Sequence, residues 1–271
     1  MMLQIPEQYE TKLGVSTGWT GTPTHYCPGC EHGILTRLIA TVLEEMGAEE
    51  KAVMVDSVGC SVLAYDYLNC DHIEAPHGRA PAIMAGVKRT HPELLVFTVQ
   101  GDGDALAIGL LETVYAAMRA EPITVFLFNN AIYGMTGGQM APTTLPGQIT
   151  TTTPFGRDLQ TTGNPIDVMK ILSQTEGPSY LRRGILAPEP VNAKHGMMYQ
   201  VKNVLEARRI IENAFKVQMK GGYSFIEFLG TCNVNWKMTV EESKHYLYDQ
   251  IVKRYPPGVF RDKLGMEGVK K

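Results

Sequence analysis

Two short runs at a fixed spacing carry the first chemistry in this chain. One is Gly101, Asp102, Gly103 and Asp104; the other is Asn129 and Asn130, with 25 residues between Gly103 and Asn129. Glycines let the backbone turn sharply and come close to a ligand. Amide groups at the start of a following helix favour an anion such as a phosphate. Bare carboxylates in the same turn would repel that phosphate, and a divalent cation resolves the conflict. Mg²⁺ takes oxygen ligands in octahedral geometry and shares them between protein and phosphate oxygens. The runs therefore read as a Mg²⁺–diphosphate site, the alternative being an ordinary turn with an aspartate capping a helix. A nicotinamide-type G-x-G-x-x-G turn does not fit, because its third glycine would fall on Leu106.

Chemistry of this kind needs two strands that deliver their carboxyl ends to one edge. The apolar run Leu94–Gln100 leads into the glycines, Ala105–Met118 has apolar residues at helical spacing, and Ile123–Asn130 is apolar up to the asparagines. That is a βαβ unit, whose parallel strands bring Asp102 and Asn130 out at the edge where open α/β sheets bind ligands. Before it the pattern predicts a helix over Ile34–Met46 stopped by Gly47, a strand at Ala52–Asp56 and a short strand at His72–Ala75. His77 and Arg79 then sit in the turn before another helix. After the unit, Ala131–Asn164 is rich in glycine, threonine and proline, and reads as a functional loop over the site. A helix with Pro165 in its first turn, a strand at Ser179–Gly184, a helix ending on Gly221 and a strand at Tyr223–Leu229 follow. Thr239 and Glu242 form a capping box for a last helix that Pro256 and Pro257 stop. Alternating strands and helices predict an α/β fold, a doubly wound, mostly parallel sheet. It fills one domain over residues 1–271, with an arm (1–26) and a helical tail (239–271).

The five cysteines add a second chemistry. Cys27 and Cys30 form a C-x-x-C pair, which alone fits zinc, a redox pair or half of a cluster site. Cys60 follows the strand Ala52–Asp56, and Cys232 follows the strand Tyr223–Leu229, so both belong at the same carboxyl edge as Asp102. Cys70 precedes its strand and belongs toward the opposite edge. Four thiolates could hold Zn²⁺ or an iron–sulfur cluster. A formal net charge of −3 gives no footing for nucleic acid or a polybasic membrane contact. With no apolar leader or membrane-length run, the cysteines are expected in a reducing cytoplasm.

Together YCPGC, SVGCS, HGRAPA, QGDGD, NNAIYGMTGGQ and FLGTC resemble the β subunit of the 2-oxoacid:ferredoxin oxidoreductases over nearly the whole chain. The GDG–NN spacing is similar to the thiamine diphosphate motif of enzymes that use that cofactor. The resemblance implies the thiamine diphosphate-binding fold, with Mg²⁺ held by Asp102, Asn130 and the Ile132 carbonyl. It implies cofactor contacts from Gly101, Gly103, Asp104 and Thr136, and a [4Fe–4S] cluster on Cys27, Cys30, Cys60 and Cys232. His77 and Arg79 are candidates for a cofactor or substrate contact, with a surface salt bridge as the alternative for Arg79. His32 is a candidate hydrogen-bond donor near the cluster or a helix-capping residue. The implied activity is CoA-dependent oxidative decarboxylation of a 2-oxo acid, 2-oxoisovalerate or 2-oxoglutarate, with reduction of ferredoxin. The activating glutamate is expected on an α subunit carrying the pyrimidine-binding domain. A small ferredoxin-like iron–sulfur subunit is expected to take the electrons, with room for a γ subunit. Leu63 departs from relatives that carry a basic residue there. Trp236, Tyr246 and Tyr248 read as core or interface.

Overall fold

The computed structural model describes residues 17–193 and 196–266. Its centre is a seven-stranded sheet. In chain order the strands are β1 (Ala52–Asp56), β2 (Asp71–Glu74), β3 (Leu95–Gly101), β4 (Thr124–Asn129), β5 (Tyr180–Ile185), β8 (Ser224–Leu229) and β9 (Gly258–Asp262). Across the sheet they run β2-β1-β3-β4-β8-β5-β9. Every neighbouring pair is parallel except β5 with β9, which is antiparallel. A separate hairpin joins β6 (Glu189–Ala193) to β7 (Gly196–Gln200).

Strands β3, β4 and β8 are almost wholly buried along their length, as expected of a parallel sheet covered on both faces. One face packs on α1 (His32–Met46) and α6 (Lys202–Met219) through Leu35, Ile39, Leu43, Ile210, Ala214 and Phe215. The other packs on α2 (Ala80–Thr90), α3 (Leu110–Met118) and α5 (Val168–Ser173), the last of which follows the short α4 (Leu159–Thr162). The sheet is doubly wound, as the sequence predicts. Gly47 ends α1 in the left-handed region at φ 57°, and the Thr239–Glu242 capping box opens α7 (Val240–Tyr246) with both reciprocal hydrogen bonds.

Three expectations need correction. The helix after the glycines is not continuous: Asp104–Ile108 is a wide π-type turn, and α3 starts only after Gly109. A side chain at Gly109 would lie 2.4 Å from the Gly78 carbonyl oxygen, so two glycines in contact seat the His77–Gly78 turn on the start of the helix. Pro165 is not in the first turn of its helix, because α5 begins at Val168 with Asp167 as its N-cap. The C-terminal segment is helical only through Arg254; beyond the prolines β9 joins the edge of the sheet, where an antiparallel strand needs no helical crossover. Of the predicted arm, residues 1–16 lie outside the described residues, as do 267–271 of the tail. The segment 131–164 is a loop with only α4 inside it.

Candidate functional site

The carboxyl ends of four neighbouring strands, β1, β3, β4 and β8, are followed by Cys60, Asp102, Asn130 and Cys232 respectively. Above them lies a cavity open to solvent. Gly101, Asp102, Gly103, Asp104, Asn130, Ile132, Thr136, His77, Cys60 and His32 all contribute to its wall. The sequence-predicted diphosphate residues thus converge on one space.

Asp102 is the buried acid of that space, 2 % exposed. Its carboxylate accepts from the Gly103 amide at 2.9 Å and from the Thr143 hydroxyl. Burial pushes it up to about 7, with the nearby Glu227 carboxylate adding to the rise and the two hydrogen bonds opposing it. A carboxylate this far out of water is costly unless a cation compensates it. Asn130 is also buried, and its Oδ1 accepts from the Ile132 amide at 3.3 Å. One buried carboxylate, a side-chain amide and a carbonyl facing a common cavity are hard oxygen donors suited to Mg²⁺ with a phosphate completing the shell. These residues fit the expected group.

Asp104 has a different task. One oxygen accepts from the Gly78 amide at 2.7 Å and is paired with His77 Nδ1; the other accepts from Gln100 Nε2. Both oxygens are engaged in fixing the turn that presents His77. Arg79 does not line the cavity: its guanidinium pairs with Glu112 at 2.5 Å and reaches the Ile108 carbonyl. The surface salt bridge is therefore the reading its geometry supports. Thr136 lines the cavity with its hydroxyl donating to Gln139 at 2.7 Å.

The thiols gather beside the same cavity. A β-carbon on Gly134 would stand 3.2 Å from the Cys60 sulfur and 3.6 Å from the Cys232 sulfur, so both flank one glycine although their strands are three spacings apart in the sheet. Cys30 Sγ lies 3.7 Å from the Thr231 carbonyl, next to Cys232. Burial raises the Cys30 thiol, raises Cys60 to about 11 and raises Cys232, and neighbouring thiols of the four-cysteine set add to each rise. A bound cationic centre would reverse that and draw off the protons. Cys27 is the exposed member. Cys70 is apart from them, next to His72. Among the described residues no three His, Cys, Asp or Glu side chains stand close enough to hold a single metal ion.

His32 links the two halves of the site. It is buried, makes no helix-capping hydrogen bond, stacks on Phe128 at 3.7 Å and places Nδ1 3.3 Å from Cys30 Sγ. Burial lowers it to about 3, so the ring is neutral and one nitrogen can donate to the sulfur.

Several positioning residues were not singled out by sequence. Glu31 accepts from the Thr231 amide at 2.7 Å and hydroxyl at 2.8 Å, tying the Cys27–Cys30 turn to the segment that carries Cys232. Ser57 and Ser61 both donate to the Val99 carbonyl, at 2.6 and 2.7 Å, and anchor the Cys60 loop to β3. Asn235 donates to the Gly134 carbonyl and to Cys232 Sγ. Trp236 and Tyr246 pack edge to face at 5.0 Å, and Tyr248 donates to the Ala187 carbonyl.

A parallel α/β sheet with a GDG–NN cavity is the build of a thiamine-binding half-domain, and residues 57–228 match the family model described as thiamine pyrophosphate enzyme, C-terminal TPP binding domain. Within that class the chain belongs to the β-type subunits of the 2-oxoacid:ferredoxin oxidoreductases. It is 42% identical to ketoisovalerate oxidoreductase subunit VorA of Methanothermobacter thermautotrophicus, over 97% of this chain and 53% of that one. It is 33% identical to 2-oxoglutarate synthase subunit KorB of Archaeoglobus fulgidus, over 86% of this chain and 78% of that one. The chain spans about half the length of the ketoisovalerate relatives it matches. In fold it is similar to a 2-oxoglutarate:ferredoxin oxidoreductase from Magnetococcus marinus solved with 2-oxoglutarate, coenzyme A and succinyl-CoA, with a TM-score of 0.71, 21% identity, and coverage of 90% of this chain and 83% of that one.

Proposed function

We propose that this chain is the thiamine diphosphate-, Mg²⁺- and [4Fe–4S]-binding subunit of a cytoplasmic 2-oxoacid:ferredoxin oxidoreductase that converts a 2-oxo acid and CoA into acyl-CoA and CO₂. The substrate is 2-oxoisovalerate in first place, because the ketoisovalerate subunit is the more similar of the two named relatives, with 2-oxoglutarate second. The observation that carries the reading is the adjacency of the buried Asp102–Asn130 cavity and the four-thiol corner, joined through His32.

Bound thiamine diphosphate supplies an electron sink for CO₂ loss from a 2-oxo acid. Asp102, Asn130 and the Ile132 carbonyl hold its Mg²⁺; Gly101 and Gly103 let the backbone approach the diphosphate. Asp104 and Gln100 hold the His77 turn against the mouth of the cavity. Cys27, Cys30, Cys60 and Cys232 each supply one thiolate to a cluster. Among the described residues no glutamate lines the cavity, and in this reading an α subunit supplies the activating glutamate. A two-cluster outlet to ferredoxin needs about eight further thiolates, and Cys70 is the one other cysteine in this sequence; in this reading a small iron–sulfur subunit supplies them.

The test is iron, zinc and acid-labile sulfide in anaerobically purified chain. About four irons and four sulfides per chain are expected, lost in Cys60→Ser and kept in Cys70→Ser. One zinc and no sulfide would overturn the electron-transfer reading.

A further inference from the structure

Beside the edge strand β2, away from the cavity, a thiol, an imidazole and a carboxylate stand in a line. Cys70 Sγ is 3.5 Å from His72 Nε2, and His72 Nδ1 is 2.8 Å from Asp56 Oδ2. Asp56 is 1 % exposed, at the end of β1, and its other oxygen has no hydrogen-bond partner. His72 Nε2 also faces the Leu68 carbonyl oxygen at 3.3 Å. A carbonyl can only accept, so Nε2 carries a hydrogen; the buried carboxylate on the other side calls for one on Nδ1 as well. Two protonated nitrogens make an imidazolium, and burial, which opposes that charge, is outweighed by Asp56 and Cys70, raising His72 to about 10. The other groups facing the pair are the Tyr65 ring, edge-on to His72 at 6.5 Å, and Glu74, whose charge acts on Asp56. Cys70 itself is half-buried, packed against the core on one side and flanked in the chain by exposed Asn69 and Asp71.

We propose that Cys70 is a nucleophilic thiol activated by His72 and oriented through Asp56, and that it is a site of mixed-disulfide formation with small disulfides. A cationic imidazolium held beside a thiol by a third group is an arrangement that makes the sulfur nucleophilic. No cavity among those described adjoins it, which points to modification rather than turnover of a bound substrate. The other four cysteines gather at the cavity, leaving Cys70 without an internal partner for a disulfide. In the step, the Cys70 sulfur attacks one sulfur of a small disulfide. A new S–S bond forms to Cys70, the old S–S bond breaks, and one thiolate leaves with the electron pair. The proton from Cys70 passes to the leaving thiolate through solvent, so one disulfide and one thiol give one mixed disulfide and one thiol. The inference is independent of the proposed activity.

The experiment is site-resolved labelling of the anaerobic, metal-loaded chain with limiting dithiobis(nitrobenzoate), and separately with glutathione disulfide, at pH 7, read by peptide mass. Cys70 is expected to label ahead of an unstructured thiol peptide. His72→Gln should slow that labelling at least about tenfold and Asp56→Asn by several-fold, with each variant checked for a native unfolding midpoint. A Cys70 that does not label, or labels as fast in a folded His72→Gln variant, overturns the proposal. If Asp56→Asn fails to fold, the His72→Gln rate decides alone.

Discussion

Thr143 sits in the loop expected to cover the site but was not itself singled out by sequence; its hydroxyl donates to the buried Asp102 carboxylate, and the Tyr255 hydroxyl donates to its carbonyl at 2.9 Å. It fixes the rotamer of a metal-ligand candidate from 41 residues away in sequence. Residues one step removed from a metal ligand typically carry 10- to 100-fold of its affinity. Thr143→Val should therefore weaken Mg²⁺–thiamine diphosphate binding by about one to two orders of magnitude in a calorimetric titration, with Thr143→Ser retaining most of it. Equal affinity in the valine variant would remove Thr143 from the site. Arg79 makes the opposite prediction. Its pair with Glu112 is half exposed, and exposed pairs contribute roughly 0–1 kcal/mol. Arg79→Ala should leave cofactor affinity within about twofold and stability within about 1 kcal/mol; a large affinity loss would return it to the site. Asp102 and Asn130 could be read from sequence because a βαβ unit fixes their spacing. Thr143 could not, because loop closure leaves no spacing signature.

Between strands the decisive feature is a buried charge network. Arg183 on β5 donates to Glu227 on β8 at 2.7 Å and to Asp167 ahead of α5 at 2.6 Å, and Glu227 accepts from Asn129 at the end of β4. The arginine also lies over the Tyr255 and Phe260 rings. All of this supports the strand end that presents Asn130. Removing one partner of a buried pair leaves an uncompensated charge and costs about 3–5 kcal/mol, whereas removing both costs far less. Arg183→Met should lower the urea-unfolding free energy by about that amount, and adding Glu227→Gln should recover part of it. No recovery in the double variant would show that packing, not charge, sets the cost. The strand at Ser179–Gly184 was legible in the sequence. Its charge partners were not, because they sit on other strands and a helix entry. The same limit hid β9 and the β6–β7 hairpin, whose pairing depends on what lies beside them rather than on their own pattern.

At the scale of the molecule, the doubly wound order was legible because hydrophobic periodicity alternates between strand and helix along the whole chain. The convergence of the thiols was only half legible: topology put Cys60 and Cys232 on one edge, but the leaning of their loops over Gly134 depends on Glu31, Ser57 and Ser61. That division has a measurable consequence. If the Mg²⁺–diphosphate half is already folded in this chain, the cofactor binds the native state without its partner and stabilises it by mass action. At a ligand concentration of 100 times the dissociation constant the gain is about 2.7 kcal/mol. For a chain of this size that corresponds to a midpoint rise of roughly 5–10 °C. Anaerobic thermal unfolding with thiamine diphosphate and Mg²⁺ should show it. Chelating the Mg²⁺ should abolish it, and Asp102→Asn should abolish it without Mg²⁺ being withdrawn. A rise that persists after chelation would mean that the diphosphate is held by backbone amides alone. No rise in the wild-type chain, but one on adding the α subunit, would mean that the cavity closes only at the interface.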